Sequence, residues 1–175
     1  MKKTKLGDIC SFNYGKSLTS NKRIRDCVPV YSSAGQIDYH NEPLVNSKGL
    51  IVGRKGTVGS VYRSYVPFFC IDTAFYILPN DNVFDFDYLY YALQSVGLDN
   101  LNEDSAVPGL NRDTAYAQEI WFPCLDVQHK VGRFLTELDD KIAVNQKINR
   151  NLTAIKSPTS TRLARQTSNE EAKSL

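Results

Sequence analysis

The sequence is poor in the residues that metal and redox chemistry need. It has two histidines, His40 and His129, and neither sits beside a Cys or Glu cluster of metal-ligand spacing. Its four cysteines, Cys10, Cys27, Cys70 and Cys124, are far apart and form no C-x-x-C pair. That spacing argues against a zinc ribbon or a thioredoxin-type motif. Reduced, mostly buried thiols are expected instead, with no metal and no cofactor. No run of about 18 apolar residues is present to span a bilayer. The start, "MKKTKLGDICSF", carries charge with no apolar segment behind it, so a cytoplasmic protein is expected.

Nucleotide-binding loops are missing as well. In "LIVGRKGTVGSV" the glycines Gly53, Gly56 and Gly59 make G-x-x-G-x-x-G, which is neither the dinucleotide fingerprint nor the phosphate loop of NTPases. Both of those motifs also need a helix to follow, whereas "SVYRSYVPFF" reads as a strand and an irregular turn. The local pattern predicts a hairpin, with Leu50–Val52 as one strand, Val58–Tyr62 as the next, and glycine supplying positive φ at the connection. Arg54 and Lys55 then stand at the bend, either as a solvated turn or as a paired cationic contact.

What remains is an ordinary globular composition: 175 residues, 42% apolar and 23% charged, enough for one domain with a core plus an appendage. The formal net charge of +2 conceals a segregation. From residue 16 to 63 there are eight Lys or Arg against Asp26, Asp38 and Glu42; from 64 to 111 there are seven acids and no Lys or Arg. If the first segment forms one face, that face suits a polyanion.

Along the chain, the part up to about Ser47 reads as short strands and turns, with Val28, Val30 and Tyr31 before a Ser-Ser-Ala-Gly turn and Ile37 and Tyr39 after it. "FFCIDTAFYILP" predicts one buried central strand in which Asp72 is the odd residue, better suited to a structural hydrogen bond than to catalysis. "FDFDYLYYALQSV" has helical spacing, with Leu89, Leu93 and Val96 on one face and Asp85 or Asp87 as cap. A loop with Pro108-Gly109 precedes the strand "EIWFP". The expected class is α+β (mixed α/β) over residues 1–125.

After Cys124 the pattern changes. Residues 125–156 contain no proline, and Phe134, Leu138, Ile142, Ile148, Leu152 and Ile155 recur at steps of three and four, with Asn145 in one apolar slot. Such a stripe predicts one long helix over 126–156 that pairs with another helix, a buried Asn being a register-fixing device in such pairs. A helix packed on its own domain is the alternative. From Ser157 to Leu175 the chain is polar and broken by Pro158, and a disordered end is expected.

Taken in order, "KLGDI", "VPVYSSAGQIDYH", "GLIVGRKGTVGSVY", "FFCIDTAFYILP", "FDYLYYAL", "VPGLNRDTAY" and "FPCLDVQHKVGRFLTELDDKIAVNQKINRNL" resemble the specificity subunit of type I restriction-modification enzymes. The resemblance spans residues 5 to about 152. It implies a target-recognition domain followed by a conserved spacer helix that pairs with a second one, and partners in methyltransferase and restriction subunits. Full-length members carry two domains and two spacers, so this chain resembles a half subunit. It departs from the family's pattern at Cys124, where a second proline is common, and in the polar stretch after 156.

The resemblance implies a non-catalytic, sequence-specific DNA-recognition subunit that selects a bipartite target for its partners. Candidate contacts to double-stranded DNA are Lys16, Lys22, Arg23, Arg25, Lys48, Arg54, Lys55, Arg63 and Arg112, the last as either a DNA contact or a brace for the preceding loop. Candidate dimerisation residues are Phe134, Leu138, Ile142, Asn145, Ile148, Leu152 and Ile155, in an antiparallel homodimer whose twofold symmetry demands an interrupted palindrome. Two rivals stand beside it: a small nuclease using Asp72 and the acids at 81–87, for which no Lys or His completes a site, and an interaction module that dimerises or occupies the methyltransferase without reading DNA.

Overall fold

The computed structural model describes residues 2–101 and 109–171, with side chains described as far as Thr153. Its contacts divide the chain into two compact units, Met1–Arg133 and Phe134–Leu175. In chain order the elements are β1 (Lys3–Lys5), β2 (Asn13–Tyr14), β3 (Val28–Ser32), β4 (Gly35–His40), β5 (Gly49–Gly53), β6 (Val61–Ser64), β7 (Phe69–Cys70), β8 (Ala74–Ile77), α1 (Phe86–Ser95), α2 (Arg112–Tyr116), β9 (Glu119–Trp121) and α3 (Leu125–Glu171). The class is the α+β arrangement that the sequence predicts.

The strands form three small sheets. β2-β8-β5-β6 is antiparallel throughout; β4-β3-β7 joins an antiparallel hairpin to a parallel pair; β1 pairs with β9, Lys3 opposite Trp121. β5 lies inside its sheet and is buried on both faces, which is why its sequence is an unbroken apolar run. Leu50 and Val52 enter a core with Leu6, Phe12, Phe75, Phe84, Leu89, Leu93 and Leu98, while Ile51 packs on the other side with Val45, Phe68, Cys70 and Ala74. Asp85 caps α1 as its spacing predicts, its carboxylate accepting the Tyr88 N–H at 2.7 Å.

Three local expectations need correction. The apolar run at 68–79 is two strands rather than one: Ile71–Thr73 form a turn whose Thr73 carbonyl accepts the N–H groups of Arg54 and Lys55 at 2.9 and 3.0 Å, and Asp72 is exposed at its tip. The second strand of the glycine hairpin starts at Val61, not Val58, because Gly56 and Gly59 adopt φ of +78° and +73° and curl the chain before pairing resumes. Of the thiols only Cys10 and Cys70 are buried, their pKa pushed up to about 12 by desolvation; Cys27 and Cys124 are exposed.

The first turns of α3 are tied into the first unit through Gln128. Its side chain is fully buried, Oε1 accepting the Asp85 N–H at 3.0 Å and Nε2 donating to the Pro123 carbonyl at 2.8 Å. The other carboxylate oxygen of Asp85 meets His129 Nδ1 at 2.7 Å. Gly132 permits this contact, since a Cβ there would lie 2.5 Å from Asp85 Oδ1.

In the second unit, Phe134, Leu138, Ile142, Ile148 and Leu152 are exposed along α3, as is Asn145. Leu138, Asn145 and Leu152 are spaced by heptads, and Ile148 follows Phe134 by two, the spacing of a left-handed helix pair. The side chain of Ile155 lies outside the described residues. The backbone of α3 is helical from Leu125 to Glu171, Pro158 included. A single proline removes one donor and kinks a helix without ending it when helix formers such as Leu163, Ala164, Arg165 and Glu170 follow. Among the described residues no helix is long and apolar enough to cross a membrane.

Candidate nucleic-acid interface

The loop between β5 and β6 is held from both sides. Gly53 N–H donates to the Ser60 carbonyl at 2.8 Å and Gly59 N–H to the Gly53 carbonyl at 2.9 Å, closing the loop on itself. A Cβ at Gly59 would collide with the backbone of Leu98 and Asp99, so glycine is needed there for space as well as for its positive φ. Neighbouring segments dock onto it. The Leu110 N–H donates to the Arg54 carbonyl at 2.8 Å, Lys55 forms an antiparallel bridge with Gly109, and Ser60 Oγ donates to the Ser33 carbonyl in the β3–β4 turn at 2.5 Å.

Two guanidiniums converge on one aromatic ring within this cluster. Arg54 Cζ lies 4.9 Å from the centroid of Tyr14, and Arg112 Cζ lies 5.3 Å from the same centroid. Tyr14, at the end of β2, is half exposed and rests on Phe75 at a centroid separation of 5.0 Å. Arg54 Nη1 also donates to the Asp72 carbonyl at 3.2 Å, and Arg112 stands 5.9 Å from the Tyr116 ring. Asn111 is a helix cap, its Oδ1 accepting from Asp113 N–H at 2.8 Å, which leaves Arg112 as the residue of that pair that faces the cluster. Among the described residues neither guanidinium forms an ion pair. Each cation–ring contact contributes about 0.5–2 kcal/mol, but like charges sharing one ring repel and favour an anion beside them.

The remaining cations divide by partner. Arg23 is clasped by Asp38 at 3.2 Å and by the Leu18 carbonyl at 3.3 Å. The Tyr39 N–H first and then Arg23 hold the Asp38 carboxyl below its ordinary range. Lys48 stands 3.8 Å from Asp81 and over the Phe86 ring at 4.8 Å. Arg63 pairs with Asp87 at 3.0 Å and lies 4.4 Å from the Tyr90 ring. Lys16, Lys22, Arg25 and Lys55 are exposed and form no ion pair among the described residues. The structure therefore brings Arg54, Lys55 and Arg112 together, leaves Lys22 and Arg25 in the segment before β3, and gives Arg23, Lys48 and Arg63 to carboxylates.

Tyr14 is the member of the cluster that the sequence did not announce. One Tyr among ten, in a stretch of short strands, carries no periodic or motif signal; only its tertiary neighbours single it out. Among the described residues no group of three or more His, Cys, Asp or Glu could hold a metal ion.

The fold has close counterparts. The S subunit of a type I restriction-modification system from M. genitalium matches with a TM-score of 0.74 and 23% identity, over 88% of this chain and 43% of that one. The HsdS subunit from Thermoanaerobacter tengcongensis matches with a TM-score of 0.59 and 17% identity, over 82% of this chain and 38% of that one. A chain from a structure describing complex assembly and conformational transition of the type I R-M system matches with a TM-score of 0.63 and 15% identity, over 82% and 39%. The chain thus spans about two fifths of the length of these structures. No curated protein matches it. The family model for the type I restriction modification DNA specificity domain matches residues 1–154, and the chain belongs to that family.

Proposed function

We propose that the first unit reads DNA as the recognition module of a type I restriction-modification system, with the loops that gather Arg54, Lys55 and Arg112 lying on the duplex. As a member of the specificity-domain family the chain is non-catalytic, and methylation and cleavage fall to partner methyltransferase and restriction subunits. The observation that carries the reading is the pair of guanidiniums on Tyr14, neither in an ion pair among the described residues. Guanidinium forks match phosphate oxygens and guanine edges, and glycine at the loop removes the bulk that would hold a duplex away.

Residues 126–156 serve in this reading as a spacer that pairs antiparallel with that of a second copy, covering Phe134, Leu138, Ile142, Ile148 and Leu152. Two domains then read two half-sites across a gap that the helix measures. About 30 residues at ~1.5 Å each give ~45 Å, somewhat more than one duplex turn.

The test is fluorescence anisotropy on a duplex pool across a salt series, comparing the wild type with the Arg54→Ala/Arg112→Ala double variant. Loss of two phosphate contacts lowers the slope of log affinity against log salt by ~1.8. An unchanged affinity and slope in the double variant would overturn this surface as the DNA interface and leave the rival reading, a module that occupies the methyltransferase without reading DNA.

A further inference from the structure

We infer that Tyr14 is a positioning residue, which acts on DNA through Arg54 and Arg112 by holding both guanidiniums at one place on the surface. The inference rests on the reading of this surface as the DNA interface. It names a residue that carries no charge and that nothing in the composition marks.

The three members come from separate segments: Tyr14 from β2, Arg54 from the loop that follows β5, and Arg112 from the first turn of α2. Arginine side chains on such roots lose about 2 kcal/mol of rotamer freedom when fixed. Two free guanidiniums would also move apart to lessen their repulsion. The ring opposes both tendencies by offering its π electrons to both cations, at 4.9 and 5.3 Å from its centroid.

The ring is itself well anchored. It lies 5.0 Å from Phe75, and the chain on either side of it is pinned, Asn13 pairing with Tyr76 in the sheet and the Gly15 and Lys16 N–H groups donating to the carbonyls of Ala74 and Cys70. Gly15 is packed so closely on Ile71 that a Cβ there would collide with its carbonyl. The backbones of the two arginines are likewise joined, through the Leu110 N–H on the Arg54 carbonyl. The outcome is a pre-organised pair of forks whose ordering cost is met during folding rather than on binding.

The decisive measurement is the salt dependence of duplex binding for Tyr14→Leu and Tyr14→Phe, set beside the Arg54→Ala/Arg112→Ala double variant, with urea unfolding as a fold control. Tyr14→Leu removes the π face and is expected to lower the slope by as much as ~1.8, like the double variant. Tyr14→Phe keeps the face and is expected to restore the wild-type slope. Adding Tyr14→Leu to the double variant is expected to cost nothing further, since the three act as one unit.

If the double variant lowers the slope and a folded Tyr14→Leu does not, the positioning role is overturned while the DNA surface stands. If the double variant itself leaves the slope unchanged, the surface reading fails first. A Tyr14→Phe variant as weak as Tyr14→Leu would overturn the role of the ring in favour of the hydroxyl. Should Tyr14→Leu lose its fold, Tyr14→Ile, whose β-branched side chain suits a strand, carries the same comparison.

Discussion

Arg63 and Asp87 tie the edge of the main sheet to the first helix: Nη1 stands 3.0 Å from Oδ1, and the same carboxylate oxygen accepts the Tyr65 hydroxyl at 2.6 Å. The guanidinium is further enclosed by the rings of Tyr90 and Tyr91, at 4.4 and 5.3 Å. Although it belongs to the basic stretch of the sequence, Arg63 holds β6 against α1. Arg63→Ala is therefore expected to destabilise the domain by about 2 kcal/mol while leaving the salt slope of DNA binding at its wild-type value. Urea titration and anisotropy on the same preparation check both halves.

Gly59 is a second place where a small change should have a large effect. Its φ of +73° and the backbone of Leu98 and Asp99 leave no room for a side chain. Gly59→Ala is expected to cost at least about 2 kcal/mol, whereas Gly56→Ala, with only Ser33 Oγ at 3.4 Å, suffers mainly from its φ and should cost less. Melting temperatures of the two variants give the ranking.

The thiols should separate cleanly under a chromogenic disulfide reagent. Cys27 and Cys124 are exposed and react first, while Cys10 and Cys70, raised to about 12 by burial, react only on unfolding. In the unfolded chain the same two thiols ionise near their ordinary 9.0. The unfolded state then holds fewer protons, so stability falls as pH rises from about 9 toward about 12. Urea midpoints at pH 8 and pH 10 measure that slope.

For the helix, light scattering on the wild type and on Leu138→Asp/Ile142→Asp tests pairing directly. A dimer mass that the double variant reduces to one chain is expected, because two carboxylates in the exposed stripe cannot be buried unpaired. A wild-type monomer at high micromolar concentration would remove the homodimer from the proposal and leave the recognition surface untouched.

Much of the scaffold was legible in the sequence because local chemistry determines it. The hairpin at 49–64 follows from β-branched runs around glycines, α1 from Leu89 and Leu93 with the Asp85 cap, and residues 125–153 of α3 from their proline-free apolar steps. The break between β7 and β8 was not legible, since Ile71–Thr73 turn in response to Arg54 and Lys55, which lean on the Thr73 carbonyl. Charge was the least readable property. Arg23, Lys48 and Arg63 resemble Arg54 in sequence context, yet Asp38, Asp81 and Asp87 stand beside them, and only tertiary placement shows which cations have a carboxylate neighbour. Tyr14 is the same lesson in an uncharged residue.

The pairing of Lys3–Lys5 with Glu119–Trp121 has a consequence for how the chain is made. Within the domain β1 is synthesised before every other strand yet pairs with the last, β9, so the contact that closes the fold is also among the longest-range in sequence. Until residue 121 is available, β1 is an open edge and Leu6 and Phe12 lack part of their core, the kind of exposed strand that recruits other chains. High contact order of this sort slows folding. A translation product that stops short of β9 should accordingly be found in inclusion bodies or degraded, rather than as a smaller working domain.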